Sequence, residues 1–458
     1  MMTACWSGQP LPFRSAGRRP GRASGPRHPF LKHALRLGRA AVLTFYVLRF
    51  TVQASPVQPT NVLGIMSGTS IDGVDYALCA VSDARLKLRA LWSVKFPRAL
   101  RARLHAAARG EAASWELAQL HHDLGRFYAA YAMPSRNAPR PHLAGLHGQT
   151  VFHNPDPKGP ATLQIGEPAY LAETLCVPVV SNFRSADLAA GGQGAPLATA
   201  FHVRVFGERG RHVCVNNLGG ISNVTSIDWR RGALPKVLAF DTGPANVLMD
   251  LAIRHFTDGR RALDRNGEWA ARGRVCEPLL AKWLKHPFLH MPPPKSTGRE
   301  LFGEAFFEQA LTAARRRKLS KFDLLATLTV FTARSLAMNY RAHLPSPPDT
   351  VVLAGGGAAN PVLREQIARA LKESGAGVSP VSAGVPPAWV FAGETPAATA
   401  GTAAPPGRVL TSADCGWPLQ SIEPAAFAYL AWLRVLGRPG NLPETTGARR
   451  AVVCGAIQ

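Results

Sequence analysis

The segment Gly64–Asp75, GIMSGTSIDGVD, combines glycines, hydroxyl side chains and two carboxylates in one short stretch. Apolar, strand-like sequence flanks it, which predicts a β-hairpin whose tip carries these residues. Amides exposed by the glycines, with hydroxyls such as that of Ser67, can form a concave nest that binds a polyphosphate. Asp72 and Asp75 would then hold Mg²⁺ or its waters, because Mg²⁺ prefers one or two carboxylates plus phosphate oxygens. An ordinary Gly/Ser/Asp turn fits the same residues, so this segment alone leaves both interpretations open.

Glycine-rich turns also follow three later strand-like runs. They lie within His212–Val224, Val237–Asp250 and Val351–Leu363. Loops at the ends of adjacent strands converge on one cleft, so these turns are candidates for a shared site. After the last turn, Asn360 and Pro361 are typical of a helix N-cap and its first helical residue. Taken alone, that GGG run favours a plain strand-to-helix turn.

Hydrophobic periodicity predicts an α/β protein from Asn61 onward. Apolar and mostly polar residues alternate over Leu86–Phe96, which predicts a third strand after the hairpin. Apolar residues then recur at helical spacing over Trp115–Tyr131.

Composition limits the class of protein. At 458 residues the chain is long enough for two or three domains. Its net charge of +24 suggests nucleic acid, but nine of the Lys/Arg lie in residues 1–60, which contain no acid. The sequence has no stripe of basic residues interleaved with aromatic ones, so the positive charge argues for anionic small-molecule substrates and against nucleic acid as a partner. Seven cysteines without CxxC spacing argue against a disulfide framework or zinc site and favour a reducing, cytoplasmic location.

Two segments stand apart from this pattern. Residues 1–60 are basic and rich in Arg, Gly and Pro, so we predict a disordered extension. Their apolar stretch Ala40–Leu48 is too short to span a membrane, and no membrane association is predicted. The segment superficially resembles a secretory signal and equally fits an extension from a wrongly assigned start codon. Residues 375–408 are rich in Ala, Pro and Gly and predict a surface insertion.

Nine motifs, in order, resemble those of the anhydro-N-acetylmuramic acid kinase family. They are GIMSGTSIDGVD, LHGQTVFH, TLQIGEPAYLAE, NFRSADLAAGGQGAPL, NNLGGISN, FDTGPANVLMD, PPKSTGRELF, GGGAANP and GNLPETTGA. A set of this size is far more specific than one glycine loop. The resemblance implies an α/β, actin/hexokinase-like ATPase fold with two ribonuclease-H-like lobes around a nucleotide cleft. The lobes are expected at 61–205 and 206–458, with the final helix packing back on the first lobe.

The resemblance also implies a reaction. ATP and water would open the 1,6-anhydro ring of anhydro-N-acetylmuramic acid and give N-acetylmuramic acid 6-phosphate in cell-wall recycling. A carboxylate base must activate water at C1 while O6 leaves and takes the γ-phosphoryl group. Positioning and charge neutralisation then carry the phosphoryl transfer, with Mg²⁺ as the expected cation. A homodimer is the family's expected state.

The matched motifs imply two groups of site residues. Those on the nucleotide side are Gly68, Thr69, Ser70, Ile71, Asp72, Gly73, Val74, Asp75, Gly219, Gly220, Asp241, Gly355, Gly356 and Gly357. Those on the sugar side are His147, Gln149, Thr150 and Arg184. Arg184 would face a lactyl carboxylate or a phosphate, although a loop Arg is commonly only solvated. For the other three, a capped loop near a strand end is the structural alternative.

Two positions depart from the family's pattern. Asn182 lies where the family usually has the Asp of a DFR motif, which we interpret as its catalytic base. Loss of a general base costs about 10²- to 10⁴-fold in rate, unless a neighbour such as Asp187 replaces it. Val330 lies where the family usually has Glu, which predicts the loss of a sugar or water contact.

Three functions are therefore open on sequence alone. The first is an active kinase of this family, favoured by the complete nucleotide motifs. The second is a catalytically impaired or inactive protein that binds nucleotide or sugar, favoured by Asn182 and Val330. The third is a kinase of the same fold acting on another sugar or polyol, because fold does not fix function.

Overall fold

The computed structural model describes residues 59–135, 138–156, 158–374, 379–380 and 407–458. The extension predicted for 1–60 and the insertion predicted for 375–408 therefore lie almost wholly outside the described residues. Within the described part of the chain, no helix is both long and apolar enough to cross a membrane.

Strands and helices alternate along the chain. The strands are β1 (Thr60–Ser67), β2 (Gly73–Val81), β3 (Leu86–Lys95), β4 (Leu143–Asn154), β5 (Ala161–Ile165), β6 (Val179–Ser181), β7 (His212–Leu218), β8 (Ile221–Asp228), β9 (Lys236–Pro244), β10 (Thr350–Ala354), β11 (Ser379–Pro380), β12 (Arg408–Thr411) and β13 (Ala456–Ile457). The helices are α1 (Arg98–Ala108), α2 (Ser114–Ala130), α3 (Ala169–Leu175), α4 (Ser185–Ala189), α5 (Thr199–Phe206), α6 (Asn246–Phe256), α7 (Glu277–Trp283), α8 (Pro287–His290), α9 (Arg299–Phe302), α10 (Glu304–Arg316), α11 (Lys321–His343), α12 (Pro361–Glu373), α13 (Ile422–Val435) and α14 (Pro443–Thr446). Short 3₁₀ helices occupy Arg265–Gly267, Ala270–Arg272 and Gly356–Ala359.

The strands form two sheets with the same core topology. In the first, the order is β13-β6-β4-β1-β2-β3, and β5 pairs with β4. Strands β1, β2 and β3 are antiparallel, while β4 runs parallel to β1 and β6 parallel to β4. The second sheet repeats this plan in the order β11-β12-β10-β7-β8-β9, with β7, β8 and β9 antiparallel and β10 and β12 parallel. An antiparallel meander extended by parallel strands from its first member is the ribonuclease-H-like arrangement, and its repetition confirms the predicted fold class.

Several local predictions are confirmed. The segment Gly64–Asp75 lies at the tip of the β1–β2 hairpin, and the predicted third strand is β3. The predicted amphipathic helix is α2, which buries Leu120, Leu124 and Tyr128. Asn360 caps α12 by accepting from the backbone amides of Val362 and Leu363, at 3.0 and 3.1 Å.

Helix α13 follows the strands of the second sheet in sequence but packs on β1, β2 and β4 of the first sheet. Two glycines allow this close approach. A Cβ at Gly64 would lie 1.8 Å from the carbonyl oxygen of Pro424, and one at Gly145 would lie 2.3 Å from that of Phe427. Glycine is therefore required at both positions, and the start of the helix packs directly on the β1–β2 hairpin.

Candidate active site

The predicted phosphate hairpin has a compact turn with an open tip. The amide of Ile71 donates to the carbonyl oxygen of Gly68 over 3.2 Å, which closes the turn. Thr69 and Ser70 are exposed and available to a ligand. Ile71 and Val74, by contrast, are buried core residues, so only their backbone groups can serve a phosphate.

Two small residues of this segment have structural tasks that the sequence did not indicate. The buried hydroxyl of Ser67 lies 2.7 Å from that of Tyr128, so it is not available to a phosphate. Gly64 makes room for α13 instead of exposing an amide to a ligand. The expectation that both contribute to the phosphate nest is therefore wrong.

The two aspartates of the hairpin differ in environment. Asp72 is exposed and forms an ion pair with Arg101 at 2.6 Å. Asp75 lies on β2 and accepts a hydrogen bond from the hydroxyl of Ser93. Burial raises the pKa of Asp75, and the Ser93 hydrogen bond opposes that rise. Asp75 is thus the more buried of the two carboxylates.

Gln149 connects the predicted sugar motif to the phosphate hairpin. Its side-chain nitrogen donates to the carbonyl oxygens of Gly68 and Thr150, both at 3.2 Å. The residue is fully buried, and its side-chain oxygen has no hydrogen-bond partner among the described residues. In this conformation Gln149 supports the hairpin and does not reach a sugar, whereas Thr150 keeps part of its surface exposed.

His147 has a comparable supporting role. Its Nδ1 lies 2.8 Å from the carbonyl oxygen of Gly148, so Nδ1 carries the proton and Nε2 is the acceptor. Arg184 donates to that Nε2 from Nε at 3.2 Å and from Nη2 at 3.0 Å, and from Nη1 to Gly194 at 2.8 Å. Burial and the Arg184 charge hold the pKa of His147 well below its usual range. A neutral His147 therefore orients the guanidinium of Arg184, a residue that is half-buried as a whole.

The glycine turns of the second sheet pack against one another. The side-chain nitrogen of Asn246, at the start of α6, donates to the carbonyl oxygens of Leu218 and Gly219 at 2.9 and 2.8 Å. Gly355 has a φ of +78°, and a Cβ there would lie 2.3 Å from the side-chain oxygen of Asn217. The loops after β7 and β10 thus meet at one place, as expected of loops at the ends of adjacent strands, and Gly355 and Gly357 lie against Leu218, next to Gly219.

A carboxylate that the sequence did not single out joins the two halves of this site. Glu423, in the first turn of α13, accepts from the side-chain nitrogen of Asn217 over 3.2 Å. Burial, followed by the nearby negative charge of Asp75, raises the pKa of Glu423, and the positive charge of Arg184 opposes the rise. Glu423 therefore lies within the electrostatic field of both the phosphate hairpin and the Arg184 side. It follows the 375–408 segment in sequence, and no motif marked it.

Asp241, near the end of β9, is a carboxylate with few hydrogen-bond partners. Its Oδ2 accepts from the amide of Thr297 over 2.8 Å, and its own amide donates to the carbonyl oxygen of Lys295 over 3.1 Å. Among the described residues, no other hydrogen bond reaches its carboxylate. Burial raises the pKa of Asp241 to about 7; the charge of Glu300 adds to the rise, and that of Lys295 opposes it.

Asp250, on α6, is a second carboxylate that the sequence left unassigned, although it ends the FDTGPANVLMD motif. Burial raises its pKa to about 7; Arg254 opposes the rise, and the negative charge of Asp72 adds to it. Asp250 of α6 is therefore close enough to Asp72 of the hairpin for their charges to interact.

Asn182 and Val330, which depart from the family's pattern, both fit their local surroundings. Asn182 is exposed, its φ of +52° is left-handed, and its side-chain oxygen accepts from the Ser185 hydroxyl. Asn is among the few residue types that tolerate this backbone conformation. Val330 lines a small cavity with Glu277 and Arg334, which form an ion pair at 2.8 Å. Asn182 is therefore compatible with its backbone conformation, and Val330 lies beside the Glu277–Arg334 ion pair.

Asp187 is not available as a replacement base. This fully buried carboxylate accepts from the Gly194 amide at 2.7 Å, the Asn441 side chain at 2.6 Å and the Thr446 hydroxyl at 2.7 Å. Its three partners join the NFRSADLAAGGQGAPL loop to the C-terminal segment. The possibility that Asp187 activates water is therefore excluded by its hydrogen bonds in this structure.

Glycine loops from two ribonuclease-H-like sheets, with partly buried carboxylates among them, define the class: a phosphotransferase of the actin/hexokinase-like ATPase type. The family model described as anhydro-N-acetylmuramic acid kinase matches residues 60–395 and 398–458. The chain belongs to the anhydro-N-acetylmuramic acid kinase family.

Relatives of that name are similar over nearly their whole length. The anhydro-N-acetylmuramic acid kinase of Acaryochloris marina is 41% identical, covering 87% of this chain and 99% of that protein. The kinase of the same name from Cyanothece sp. is 38% identical over the same shares. Among solved structures, a ROK family glucokinase from Streptomyces griseus in complex with glucose and AMPPNP covers 81% of this chain and 98% of its own. Its TM-score is 0.33, and its sequence identity is 14%.

Proposed function

We propose that this protein uses ATP and water to convert 1,6-anhydro-N-acetylmuramic acid into N-acetylmuramic acid 6-phosphate. Family membership supports the substrate, because the relatives that match 87% of the chain carry that activity in their names. The alternative of an inactive member is not supported. Asn182 and Val330, the two residues on which it rests, are each compatible with their local surroundings.

The observation that carries the mechanism is the environment of Asp241. A general base is most effective when its pKa lies near the working pH, and burial brings the pKa of this carboxylate to about 7. One carboxylate oxygen is held by the Thr297 amide, and the other has no donor among the described residues. We assign to Asp241 Oδ1 the proton of the water that attacks C1. In this proposal the base is neither at residue 182 nor beside it, and Asp241, which the sequence assigned to the nucleotide side, would act on the water instead.

In the proposed reaction, each bond that forms is matched by one that breaks. Water adds to C1 and gives its proton to Asp241, while the C1–O6 bond breaks. O6 bonds to the γ-phosphorus, and ADP leaves. The chain contributes orientation, since phosphoryl transfer depends mainly on positioning and charge neutralisation.

Arg184 is the proposed contact for the lactyl carboxylate of the sugar. Three of its five N–H groups are occupied by His147 and Gly194, which fixes the guanidinium and leaves two donors. A carboxylate accepts two parallel hydrogen bonds from such a fork. His147 and Gln149 would support this contact and the phosphate hairpin from behind, and Thr150 would lie at the sugar.

The phosphates of ATP would lie on the tip of the β1–β2 hairpin, against Thr69 and Ser70, and on the Gly219–Gly220 turn. The donor set fits Mg²⁺, because Asp75 and Glu423 are hard oxygen ligands, and the negative charge of Asp75 is close enough to raise the pKa of Glu423. When bound, the ion would neutralise phosphate charge. Asp72 is the less suitable ligand, since Arg101 already pairs with it. A cytoplasmic location and a homodimer are further proposals that rest on the family resemblance alone.

The proposal is tested by ADP release with 1,6-anhydro-N-acetylmuramic acid as substrate. Asp241→Asn should lower kcat by about 10²- to 10⁴-fold, with ATP affinity retained in isothermal titration. Asn182→Asp should change kcat less than about threefold, because residue 182 does not act on the water. A large gain in Asn182→Asp, with activity retained in Asp241→Asn, would establish residue 182 as the base position and refute the assignment of Asp241.

A further inference from the structure

One buried carboxylate joins the C-terminal motif GNLPETTGA to the loop that carries Arg184. Asp187 Oδ1 accepts from the side-chain nitrogen of Asn441 at 2.6 Å and from the Thr446 hydroxyl at 2.7 Å. Asp187, Asn441 and Thr446 are all buried. The two contacts span 254 and 259 positions of sequence, so the fold brings the motif to this loop from the far end of the chain.

The other oxygen of Asp187 is connected to Arg184 through Gly194. Oδ2 accepts from the Gly194 amide at 2.7 Å, and the carbonyl oxygen of Gly194 accepts from Arg184 Nη1 at 2.8 Å. A Cβ at Gly192 would lie 2.2 Å from Oδ2, so the loop closes tightly around the carboxylate. Asp187 therefore holds the residue whose carbonyl oxygen orients the Arg184 guanidinium.

The three donors that surround Asp187 require a carboxylate. Its two oxygens accept from all of them, whereas the amide of an asparagine would turn an N–H group toward one of the donors. The charge of Asp187 adds to the connection. Burial lowers the pKa of Arg184 to about 10, and the negative charges of Glu423 and Asp187 oppose that fall. Asp187 thus favours the charged guanidinium that binds a carboxylate ligand best.

Backbone hydrogen bonds hold the same two segments together without the Asp187 side chain. The Gln193 amide donates to the carbonyl oxygen of Thr446 at 2.8 Å, and the Arg449 amide donates to that of Ala190 at 2.9 Å. Contact between the loop and the C-terminal motif therefore has a second source. Loss of the Asp187 charge should release Gly194 while the motif stays in place.

We propose that Asp187 is a positioning residue for sugar selection: with Asn441 and Thr446 it holds Gly194, and through Gly194 it holds the Arg184 guanidinium in the orientation that binds the sugar's carboxylate. The inference rests on the proposed contact between Arg184 and the lactyl carboxylate. It assigns Asp187 no contact with sugar or nucleotide. Removal of the Asp187 charge should therefore weaken the preference for a sugar that carries a carboxylate and leave ATP binding intact.

The test compares the affinities of two sugars by isothermal titration. The measured quantity is the Kd of 1,6-anhydro-N-acetylglucosamine divided by the Kd of 1,6-anhydro-N-acetylmuramic acid. Asp187→Asn should lower this ratio about fivefold or more, and Thr446→Val, which removes one of the three donors, about twofold. The Kd of Mg-ATP should be unchanged in both variants.

Thr445→Val is the matched control. Thr445 is the buried neighbour of Thr446, but its hydroxyl lies 3.4 Å from that of Thr199 and donates to the carbonyl oxygen of Leu442 at 2.9 Å. Its removal should leave the ratio of the two Kd values unchanged. In a chain that already carries Arg184→Met, Asp187→Asn should not lower the ratio further, because both changes act on the same contact.

Several outcomes would overturn the proposal. A purely structural Asp187 would weaken both sugars equally in Asp187→Asn and in Thr446→Val, so the ratio would not move. Equal effects of Thr445→Val and Thr446→Val would also refute it. If Asp187→Asn does not fold, judged by circular dichroism and thermal melting, the two threonine variants decide.

Failure of the proposed function is distinguishable. An unchanged ratio in Arg184→Met would refute the lactyl contact and this inference with it. A lowered ratio in Arg184→Met, with unchanged ratios in Asp187→Asn and Thr446→Val, would refute the role of Asp187 alone. If the unaltered protein releases no ADP with the muramic sugar, the proposed reaction is wrong, and the Kd ratios still decide the role of Asp187.

Discussion

The side-chain nitrogen of Asn217, at the end of β7, donates to the carboxylate of Glu423 on α13 over 3.2 Å. Asn217 belongs to the second sheet, and α13 packs on the first sheet, so this hydrogen bond joins the two halves of the site. Glu423 is also close enough to Asp75 for their charges to interact, so the residue that connects the two sheets also lies near the β1–β2 hairpin.

Replacing this carboxylate should weaken the use of Mg²⁺. Glu423→Gln keeps an acceptor for Asn217 but removes the charge, so the Mg²⁺ concentration for half-maximal activity should rise about tenfold or more. The thermal midpoint should stay within a few degrees. Glu365→Gln, which changes an exposed carboxylate paired with Arg369, is the matched control. If Glu423→Gln needs the same Mg²⁺ concentration as the unaltered protein, Glu423 is not a Mg²⁺ ligand and only connects the two sheets.

The pH dependence of kcat/KM should identify the base. Since the pKa of Asp241 is raised to about 7, the fraction in the basic form falls as the pH drops below 7, and activity should decline with it. Asp250 provides the control, because burial raises its pKa to a similar value. Asp250→Asn should keep the decline of kcat/KM below pH 7, whereas the residual activity of Asp241→Asn should not show this decline. If only Asp250→Asn lacks the decline, the titrating group is Asp250 on α6 and not Asp241.

Arg184 should determine the choice of sugar. An anhydro sugar without the lactyl group has no carboxylate for this guanidinium, so the unaltered protein should favour anhydro-N-acetylmuramic acid over anhydro-N-acetylglucosamine. Arg184→Met should reduce that ratio of kcat/KM about tenfold or more, mostly through KM for the muramic substrate. The kcat/KM ratio of His147→Gln, which keeps a hydrogen-bond acceptor for Arg184, should lie between those of the unaltered protein and Arg184→Met. An unchanged ratio in Arg184→Met would contradict the assignment.

Close packing of α13 makes Gly64 sensitive to a single methyl group. Gly64→Ala places a Cβ within 1.8 Å of a backbone oxygen that cannot rotate away, so unfolding free energy should fall by about 1–3 kcal/mol or more. The same change at Gly159, which has no atom within 4 Å of the added Cβ, is the control. Equal urea midpoints for the two variants would show that the helix shifts freely.

Sequence patterns predicted the parts of this molecule that depend on local periodicity. The β1–β2 hairpin, β3, helix α2 and the Asn360 cap follow from alternation, helical spacing and capping chemistry, all within short windows. The repeated sheet plan followed from the family resemblance. Each of these predictions is confirmed by the topology.

The roles of individual side chains were harder to predict, because they depend on contacts between distant residues. Gln149 meets Gly68 across 81 positions, and Glu423 meets Asn217 across 206. Nothing in a linear motif distinguishes a glutamine that binds sugar from one that supports a loop. Asp241 likewise gains its character from burial and from Lys295, neither of which is visible along β9.

Acid sensitivity should arise from His202 on α5. This histidine is 3% exposed, its Nδ1 lies 2.9 Å from the Thr225 hydroxyl, and burial lowers its pKa to about 4. In the unfolded chain its pKa is about 6.5, so below that pH the unfolded state binds a proton that the folded state does not. Stability from this group is complete above pH 6.5 and is lost as the pH falls toward 4, by at most about 3 kcal/mol.

His202→Gln removes this titration while keeping a polar partner for Thr225. Urea midpoints measured at pH 7 and pH 4.5 should therefore differ less in the variant than in the unaltered protein. The matched control is His290→Gln at an exposed histidine, which should leave the difference between the two urea midpoints unchanged. If His202→Gln and the unaltered chain lose stability in parallel between these pH values, the acid sensitivity comes from other groups, of which the buried His212 would be the next to replace.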